Sequence, residues 1–118
     1  MTLPNMLLRL EALTLMLCSL GLYAHLHGRW LIFAALLFVP DLSMLAFAAG
    51  PRVGSYAYNA VHTLVAPAIL SVVLLFRSPH PQSLLIPCIW FAHIGLDRML
   101  GYGLKYPSAF KDTHLQRV

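Results

Sequence analysis

Four long apolar stretches alternate with three short polar segments along the chain. The polar segments, AHLHGR, GPRVG and RSPHPQS, are typical of turns and are too short to join anything but antiparallel neighbours. Each apolar stretch has roughly the 20 residues that a helix needs to cross the ~30 Å core of a bilayer. We therefore predict an all-α, integral membrane four-helix up-down bundle. It forms one domain, residues 1–118, with helices over about 5–24, 30–49, 55–76 and 84–104 and a tail over 105–118.

The composition excludes a soluble domain of this size. Of the 118 residues, 59% are hydrophobic and 10% are charged, whereas soluble domains have about half and about a quarter. A small soluble core could not cover that much apolar surface. Cys18 and Cys88 both fall in predicted helices, where a free cysteine acts as a small hydrophobic residue.

The distribution of Lys and Arg predicts the orientation. The side that carries GPRVG and both termini has four of these residues, Arg52, Lys105, Lys111 and Arg117. The other side has two, Arg29 and Arg77. Such an excess marks the cytoplasmic face. We expect a multi-pass protein of the cell (inner) membrane with both termini cytoplasmic. Its net charge of +4 then points to anionic membrane lipids as partners and requires no nucleic acid.

One ionisable residue from each predicted helix falls at a similar distance from the loops. These residues are Glu11, Asp41, His62 and Asp97, and His93 lies one turn deeper. An acid that faces lipid at the bilayer centre costs on the order of 2.5–3.5 kcal/mol. We expect this His/carboxylate layer, near the cytoplasmic side, to face the interior of the bundle.

The layer has the residue types of a metal site. His93 and Asp97 are spaced i, i+4 and share a helix face, which suits two ligands of one metal or an imidazole held by a carboxylate. The candidate ligands are Asp41, His62, His93 and Asp97, together with His114 if the tail folds back over the layer. Imidazole and carboxylate ligands suit Zn²⁺, or non-haem Fe or Mn. An interfacial charge pair is the alternative for Asp97 and Arg98.

Further polar residues surround the candidate ligands. Tyr58 and Asn59 lie within one turn of His62 and could fix its tautomer, and Ser43 follows Asp41 beside Pro40, where a kink is expected. Glu11 is a candidate general base, or the salt-bridge partner of Arg98 or Arg9. Arg98 is a candidate catalytic residue that could bind the phosphate or carboxylate of a lipid headgroup.

Several of these segments resemble one family. The segments PDLSMLAF, GPRVG, YNAVHT and AHIGLDRMLGYGLKY with the later F and TH resemble small bacterial membrane proteins known as domain of unknown function 4260. The resemblance implies a four-helix integral membrane protein and does not indicate any particular activity. By residue type, the candidate set is also similar to that of transmembrane zinc hydrolases of the ceramidase and adiponectin-receptor type, which have seven helices and a different spacing.

We expect a metal-dependent membrane enzyme, hydrolase-like, that acts on a lipid or another apolar substrate. Two alternatives remain open from the sequence: a proton-coupled transport module, which would need a homodimer, or a structural or assembly subunit. The chain has no Gly-rich phosphate loop, HExxH, GxSxG or CxxC. A nucleotide cofactor is therefore not expected.

Overall fold

The computed structural model describes residues 2–105 and 113–117, and helices joined by short turns make up most of this part of the chain. Within these residues it has no strand, and the prediction of an all-helical chain is confirmed. The α-helices are α1 (Leu3–His25), α2 (Trp30–Leu36), α3 (Pro51–His62), α4 (Val65–Arg77), α5 (Leu85–Leu100) and α6 (His114–Arg117), and two 3-10 helices cover Val39–Ala49 and Pro81–Leu84.

Three helical segments are long and apolar enough to cross a membrane: Leu3–His25, Trp30–Ala49 and Pro81–Leu100. A fourth is present if α3 and α4, which meet at a 42° bend, count as one broken span. Large apolar side chains face outward on these segments, among them Leu31, Leu45 and Phe76 with 75%, 74% and 88% of their surface exposed. Water would disfavour such a surface and lipid would not. These features indicate a membrane protein.

The second apolar stretch is not the single α-helix expected over 30–49. α2 ends at Leu36, and a 3-10 helix runs from Val39 to Ala49. Pro40 has no amide hydrogen and cannot continue the α-helical ladder, and the amide of Asp41 donates instead to Phe38 O, at 3.0 Å. A 3-10 helix of 11 residues is unusually long. It carries Asp41 into the protein.

The third stretch, expected as one helix over 55–76, begins earlier, at Pro51, and breaks after His62. Pro67 explains the break. It has no amide hydrogen to bond the Thr63 carbonyl, and in a continuous helix its ring would clash with that carbonyl.

The break frees backbone carbonyls at the end of α3, and side chains of α5 reach them. Trp90 Nε1 donates to the Val61 carbonyl at 2.7 Å, and Arg98 Nη2 donates to the His62 carbonyl at 3.4 Å. Irregular backbone at membrane depth persists only where such partners satisfy it. The break therefore ties the end of α3 to α5.

α1 and α5 pack closely and antiparallel. At Gly95, an added Cβ would lie 2.8 Å from the Ala12 carbonyl oxygen and 3.0 Å from the Met16 amide nitrogen. Only glycine allows the two backbones to approach this far. Farther along the same pair of helices, Tyr23 of α1 joins the core cluster, which also contains Phe33, Cys88, Ile89 and Ala92.

α5 ends at Gly101, which has a φ of 102° that favours glycine. The amides of Gly101 and Tyr102 donate to the Arg98 and Asp97 carbonyls, at 3.1 and 2.8 Å. This Schellman motif caps the last turn of α5, which carries the side chains of Asp97 and Arg98.

The described part of the predicted tail packs against the helices. Lys105 and Thr113 form an antiparallel bridge, and the Leu115 carbonyl accepts a hydrogen bond from Asn5 Nδ2 at 2.8 Å. Leu115 is buried. The start of α1 is thereby joined to the segment 113–117.

Candidate metal centre

Four side chains from three helical segments converge on one point. Asp41 comes from the 3-10 helix, His62 is the last residue of α3, and His93 and Asp97 lie one turn apart on α5. One ligand atom from each residue lies within 4.8 Å of every other, so the group could hold a metal ion. The two imidazoles are almost fully buried, and the carboxylates of Asp41 and Asp97 are 29% and 15% exposed.

The shortest distances all involve the Nε2 atoms. His93 Nε2 lies 3.1 Å from Asp41 Oδ1 and 3.0 Å from Asp97 Oδ2. His62 Nε2 lies 3.4 Å from each of the same oxygens, and 3.1 Å from His93 Nε2. The contacts therefore surround a common centre and do not form separate pairs.

Tyr58 fixes the orientation of the His62 ring. The Nδ1 atom of His62 lies 2.9 Å from the Tyr58 backbone carbonyl, one turn earlier in α3. The two rings are also stacked, with centroids 3.7 Å apart and planes 5° from parallel. Because a carbonyl oxygen only accepts hydrogen bonds, Nδ1 carries the proton and Nε2 points to the group.

Asn59 holds the chain beyond α5 in place. Its Nδ2 donates to the Lys105 carbonyl and its Oδ1 accepts from the Lys105 amide, both at 2.7 Å. The Lys105 Nζ lies 4.5 Å from the centroid of the Tyr58 ring, a cation–π distance. Burial lowers the pKa of Lys105, although Asp97 acts in the opposite direction.

The four residues of this group lie in a part of the chain that matches one protein family. A family model described as "Domain of unknown function (DUF4260)" matches residues 5–118, a range that includes all four residues of the group. The chain belongs to the DUF4260 family. No curated protein and no solved structure matches it.

Three other predicted site residues of this DUF4260 chain lie outside the group. Glu11 is exposed on α1 and forms no ion pair with any described residue. Ser43 donates its hydroxyl to the Pro40 carbonyl at 2.8 Å. His114 Nδ1 accepts a hydrogen bond from the Leu104 amide at 2.8 Å, and its burial, followed by the nearby Arg98, lowers its pKa.

Arg98 and Tyr58 lie next to the group without belonging to it. Arg98 follows Asp97 directly and contacts the His62 carbonyl. Tyr58 acts on His62 through its backbone carbonyl and its ring face, whereas the sequence prediction considered a hydrogen bond from its side chain.

Two residues of this site were missed from the DUF4260 sequence. Trp90 supports the end of α3, and it could have been noticed because it lies seven residues before Asp97, on the same face of α5. Lys105 was counted only as a cytoplasmic charge. Its contacts with Asn59 and Tyr58 depend on tertiary packing that no local sequence pattern indicates.

Proposed function

We propose that this protein is an integral membrane metalloprotein in which Asp41, His62, His93 and Asp97 hold one divalent transition-metal ion. The observation that carries the proposal is the orientation of His62. With the proton on Nδ1, a neutral His62 presents a bare lone pair at Nε2. That lone pair faces two carboxylate oxygens, which are also electron-pair donors. A cation between them removes the repulsion.

The distances leave room for a metal ion. A proton on His93 Nε2 would account for its contacts with Asp97 and Asp41, at 3.0 and 3.1 Å, as ordinary hydrogen bonds. It would not account for the two contacts of His62 Nε2 at 3.4 Å, because the proton of that ring is on Nδ1. A tetrahedral ion with bonds of about 2.0–2.1 Å separates its ligands by about 3.3–3.4 Å. Adjacent ligands of an octahedral ion with such bonds are about 2.8–3.0 Å apart. The spacing supports a small ion in either geometry.

The chemistry of the donor atoms narrows the choice of metal. Imidazole nitrogen suits Zn, Fe and Mn, while Ca²⁺ and Mg²⁺ prefer oxygen ligands. A divalent charge also balances two carboxylates, which matters where burial makes an unpaired charge expensive. We propose Zn²⁺, or Fe or Mn, as the resident ion.

For the activity, we propose hydrolysis of a lipid. When bound, such a metal supplies Lewis-acid chemistry toward a carbonyl or phosphoryl oxygen. The partly exposed Asp41 carboxylate provides a route by which a substrate could reach the group. Arg98, next to Asp97, is the cation that would orient an anionic headgroup. Glu11 as general base stays a prediction from the sequence, because its side chain lies outside the group.

A structural role is the second candidate, and the donor count favours it. Four protein ligands complete a tetrahedral ion, as they do in structural zinc sites. The ligands also join the 3-10 helix Val39–Ala49, α3 and α5, and a break in an apolar stretch lies at the start of the first and at the end of the second. Proton-coupled transport through a homodimer remains a prediction from the sequence.

The proposed arrangement in the membrane follows the charge distribution. We propose an up-down bundle of four spans in the inner membrane with both termini cytoplasmic. The α3–α4 pair would be the third span, and the metal centre would lie near the cytoplasmic side. The excess of Lys and Arg on the side of the termini supports this orientation.

A Co²⁺ titration of the metal-free protein distinguishes the two roles. Four-coordinate Co²⁺ absorbs strongly in the visible range and six-coordinate Co²⁺ weakly, so the spectrum reports whether coordination positions remain open. Weak bands, with metal-dependent release of product from ester lipids that His93→Ala abolishes, would support the enzyme. Strong bands and no product would support the structural role, and no spectral change would contradict the metal centre.

A further inference from the structure

An apolar cavity of about 540 Å³ lies between the 3-10 helix Val39–Ala49, α3 and α5. Residues of all three segments line it, among them Val39, Pro40, Val61, Ile86, Ile89 and Trp90. Its volume is within the range of about 300–1,000 Å³ that is usual for small-ligand sites. It is large enough for part of a lipid molecule.

The cavity offers its occupant no free hydrogen-bonding side chain among the described residues. Its one hydroxyl, on Ser43, donates to the Pro40 carbonyl at 2.8 Å. The indole N–H of Trp90 donates to the Val61 carbonyl at 2.7 Å. Since both polar side chains are already engaged, burial of apolar surface is what a ligand would gain here. The lining therefore suits a hydrocarbon chain.

Each of the three walls of the cavity carries a residue that is next to, or one turn from, a member of the Asp/His group, although no member of the group lines the cavity itself. Pro40 precedes Asp41 and Val61 precedes His62 in the sequence. On α5, Ile86, Ile89, His93 and Asp97 follow one another at spacings of three or four residues and so occupy one face. Ascending this face, a ligand would meet apolar side chains first and the Asp/His group next.

Cations lie past the group in the same direction. Arg98 follows Asp97, and the buried Lys105 packs on Tyr58, whose ring is stacked on His62. The order along α5 is therefore apolar cavity, metal centre, cations. An amphiphile with one hydrocarbon chain and an anionic head has the same order.

We infer that the cavity binds the hydrocarbon chain of a single-chain anionic lipid, whose carboxylate or phosphate head lies at the metal centre. The inference deepens the proposed function by naming the class of lipid that the site takes, and it rests on that function for the position of the head. The chain subsite stands on the cavity alone. A lysophospholipid and a free fatty acid share this chemistry; the first has ester bonds that the proposed hydrolysis could cleave, and the second is a product of such a cleavage.

Trp90 provides a direct probe, because it lines the cavity and the chain has only two tryptophans. In Trp30→Phe protein in nanodiscs of unlabelled phosphatidylcholine, a stearic acid brominated on its chain should quench Trp90 fluorescence with a saturable dependence on its mole fraction. In the matched Trp90→Phe protein, the half-exposed Trp30 should report only unsaturable quenching from the bulk lipid. Identical, unsaturable curves for both tryptophans would overturn the inference.

Two variants separate the cavity from the lipid-facing surface. Ile86→Phe fills the cavity from a half-exposed position and should weaken the saturable phase at least ten-fold. Ile69→Phe makes the same change on a lipid-facing position of α4 and should leave it unchanged. Equal effects of the two substitutions would contradict a specific chain site.

Competition tests the head, and the metal content keeps the two proposals apart. Unlabelled stearic acid and lysophosphatidic acid should displace the probe at concentrations at least ten-fold below octadecanol, and the stronger of the two identifies the natural head. Equal displacement by the uncharged alcohol would overturn the placement of the head. If the protein binds no metal but its Trp90 quenching is saturable, the chain site is supported and the metalloprotein proposal fails. If the protein binds metal but its quenching is not saturable, the metalloprotein proposal is supported and the chain site fails.

Discussion

The Nε2 atoms of His62 and His93 lie 3.1 Å apart with their ring planes at 60°, and both face the same two carboxylate oxygens. Two neutral imidazoles approach this closely when one donates to the other or when a cation lies between them. We propose the cation, because His62 Nε2 and the carboxylate oxygens 3.4 Å from it are all electron-pair donors.

The ring and the backbone of Tyr58 should matter for metal binding, and its hydroxyl should not. Tyr58→Phe keeps the stacking on His62 and the carbonyl that accepts from Nδ1. We expect its metal affinity to equal that of the unaltered protein. Tyr58→Ala loses the stacking and should bind the metal about 10–100-fold more weakly, as for other residues that orient a ligand. Competition with a chromophoric chelator measures both, and a Tyr58→Phe as weak as Tyr58→Ala would contradict this account.

The indole N–H of Trp90 should stabilise the break between α3 and α4. Trp90→Phe leaves the Val61 carbonyl without this donor, which should lower the free energy of unfolding by about 1–3 kcal/mol. Trp30→Phe is the matched control, because the side chain of Trp30 is half exposed and packs on Tyr23 and Phe33 without a comparable role at a helix break. Denaturation in mixed micelles compares the two, and a larger loss in Trp30→Phe would contradict the assignment.

The sequence predicted the depth of the site better than the course of its helices. Residue counting placed Asp41, His62 and Asp97 at one level, and their carboxylate and imidazole groups do meet, because the length of each apolar stretch fixes depth. A kink was expected at Pro40, but neither the long 3-10 helix there nor the complete break before Pro67 was predicted. Proline is common in continuous membrane helices, and what satisfies the freed carbonyls is tertiary contact.

The sequence also did not predict which face of α1 packs against the rest of the protein. α1 is apolar on all sides, so hydrophobic periodicity does not indicate which side faces the protein. Glu11 was expected in the interior layer and is exposed, while Ala12, its neighbour, packs on Gly95. The close approach at a small residue decided the orientation of this helix.

Gly95→Ala should therefore separate α1 from α5. The added Cβ would meet the backbone of Ala12 and Met16, which cannot move aside as a side chain can. We expect a destabilisation of about 1–3 kcal/mol, typical of overpacking. Gly21→Ala is the control, since nothing lies within 4 Å of its added Cβ, and its stability should be unchanged or slightly raised. Thermal unfolding in detergent measures both variants. Unfolding temperatures equal to that of the unaltered protein in both would contradict the close contact between α1 and α5.

The packing of the segment 113–117 should weaken in acid. Burial lowers the pKa of His114, and its Nδ1 accepts from the Leu104 amide, so the packed state holds this ring neutral. The released segment takes up a proton below the ordinary value of 6.5, so packing is fully stable above that pH and is lost progressively below it. After correction for the intrinsic rate, hydrogen exchange at Leu104 and Leu115 should become faster as the pH falls from about 7.5 to 5.5.

His114→Asn separates titration from hydrogen bonding. Its side-chain oxygen can replace Nδ1 as the acceptor, but it does not titrate. Exchange at Leu104 in this variant should be independent of pH over the same range, after correction for the intrinsic rate. A variant that keeps the full pH dependence would show that another group is responsible.

The metal content of the purified protein tests the central claim most directly. Elemental mass spectrometry should find about one Zn, Fe or Mn per chain in the unaltered protein and in His80→Ala, whose histidine is exposed and outside the group. His62→Ala and His93→Ala should each lose most of that metal while remaining folded. A metal-free protein that also fails to bind Zn²⁺, Fe²⁺ or Mn²⁺ when these are added, or equal metal in all four proteins, would contradict the metal centre.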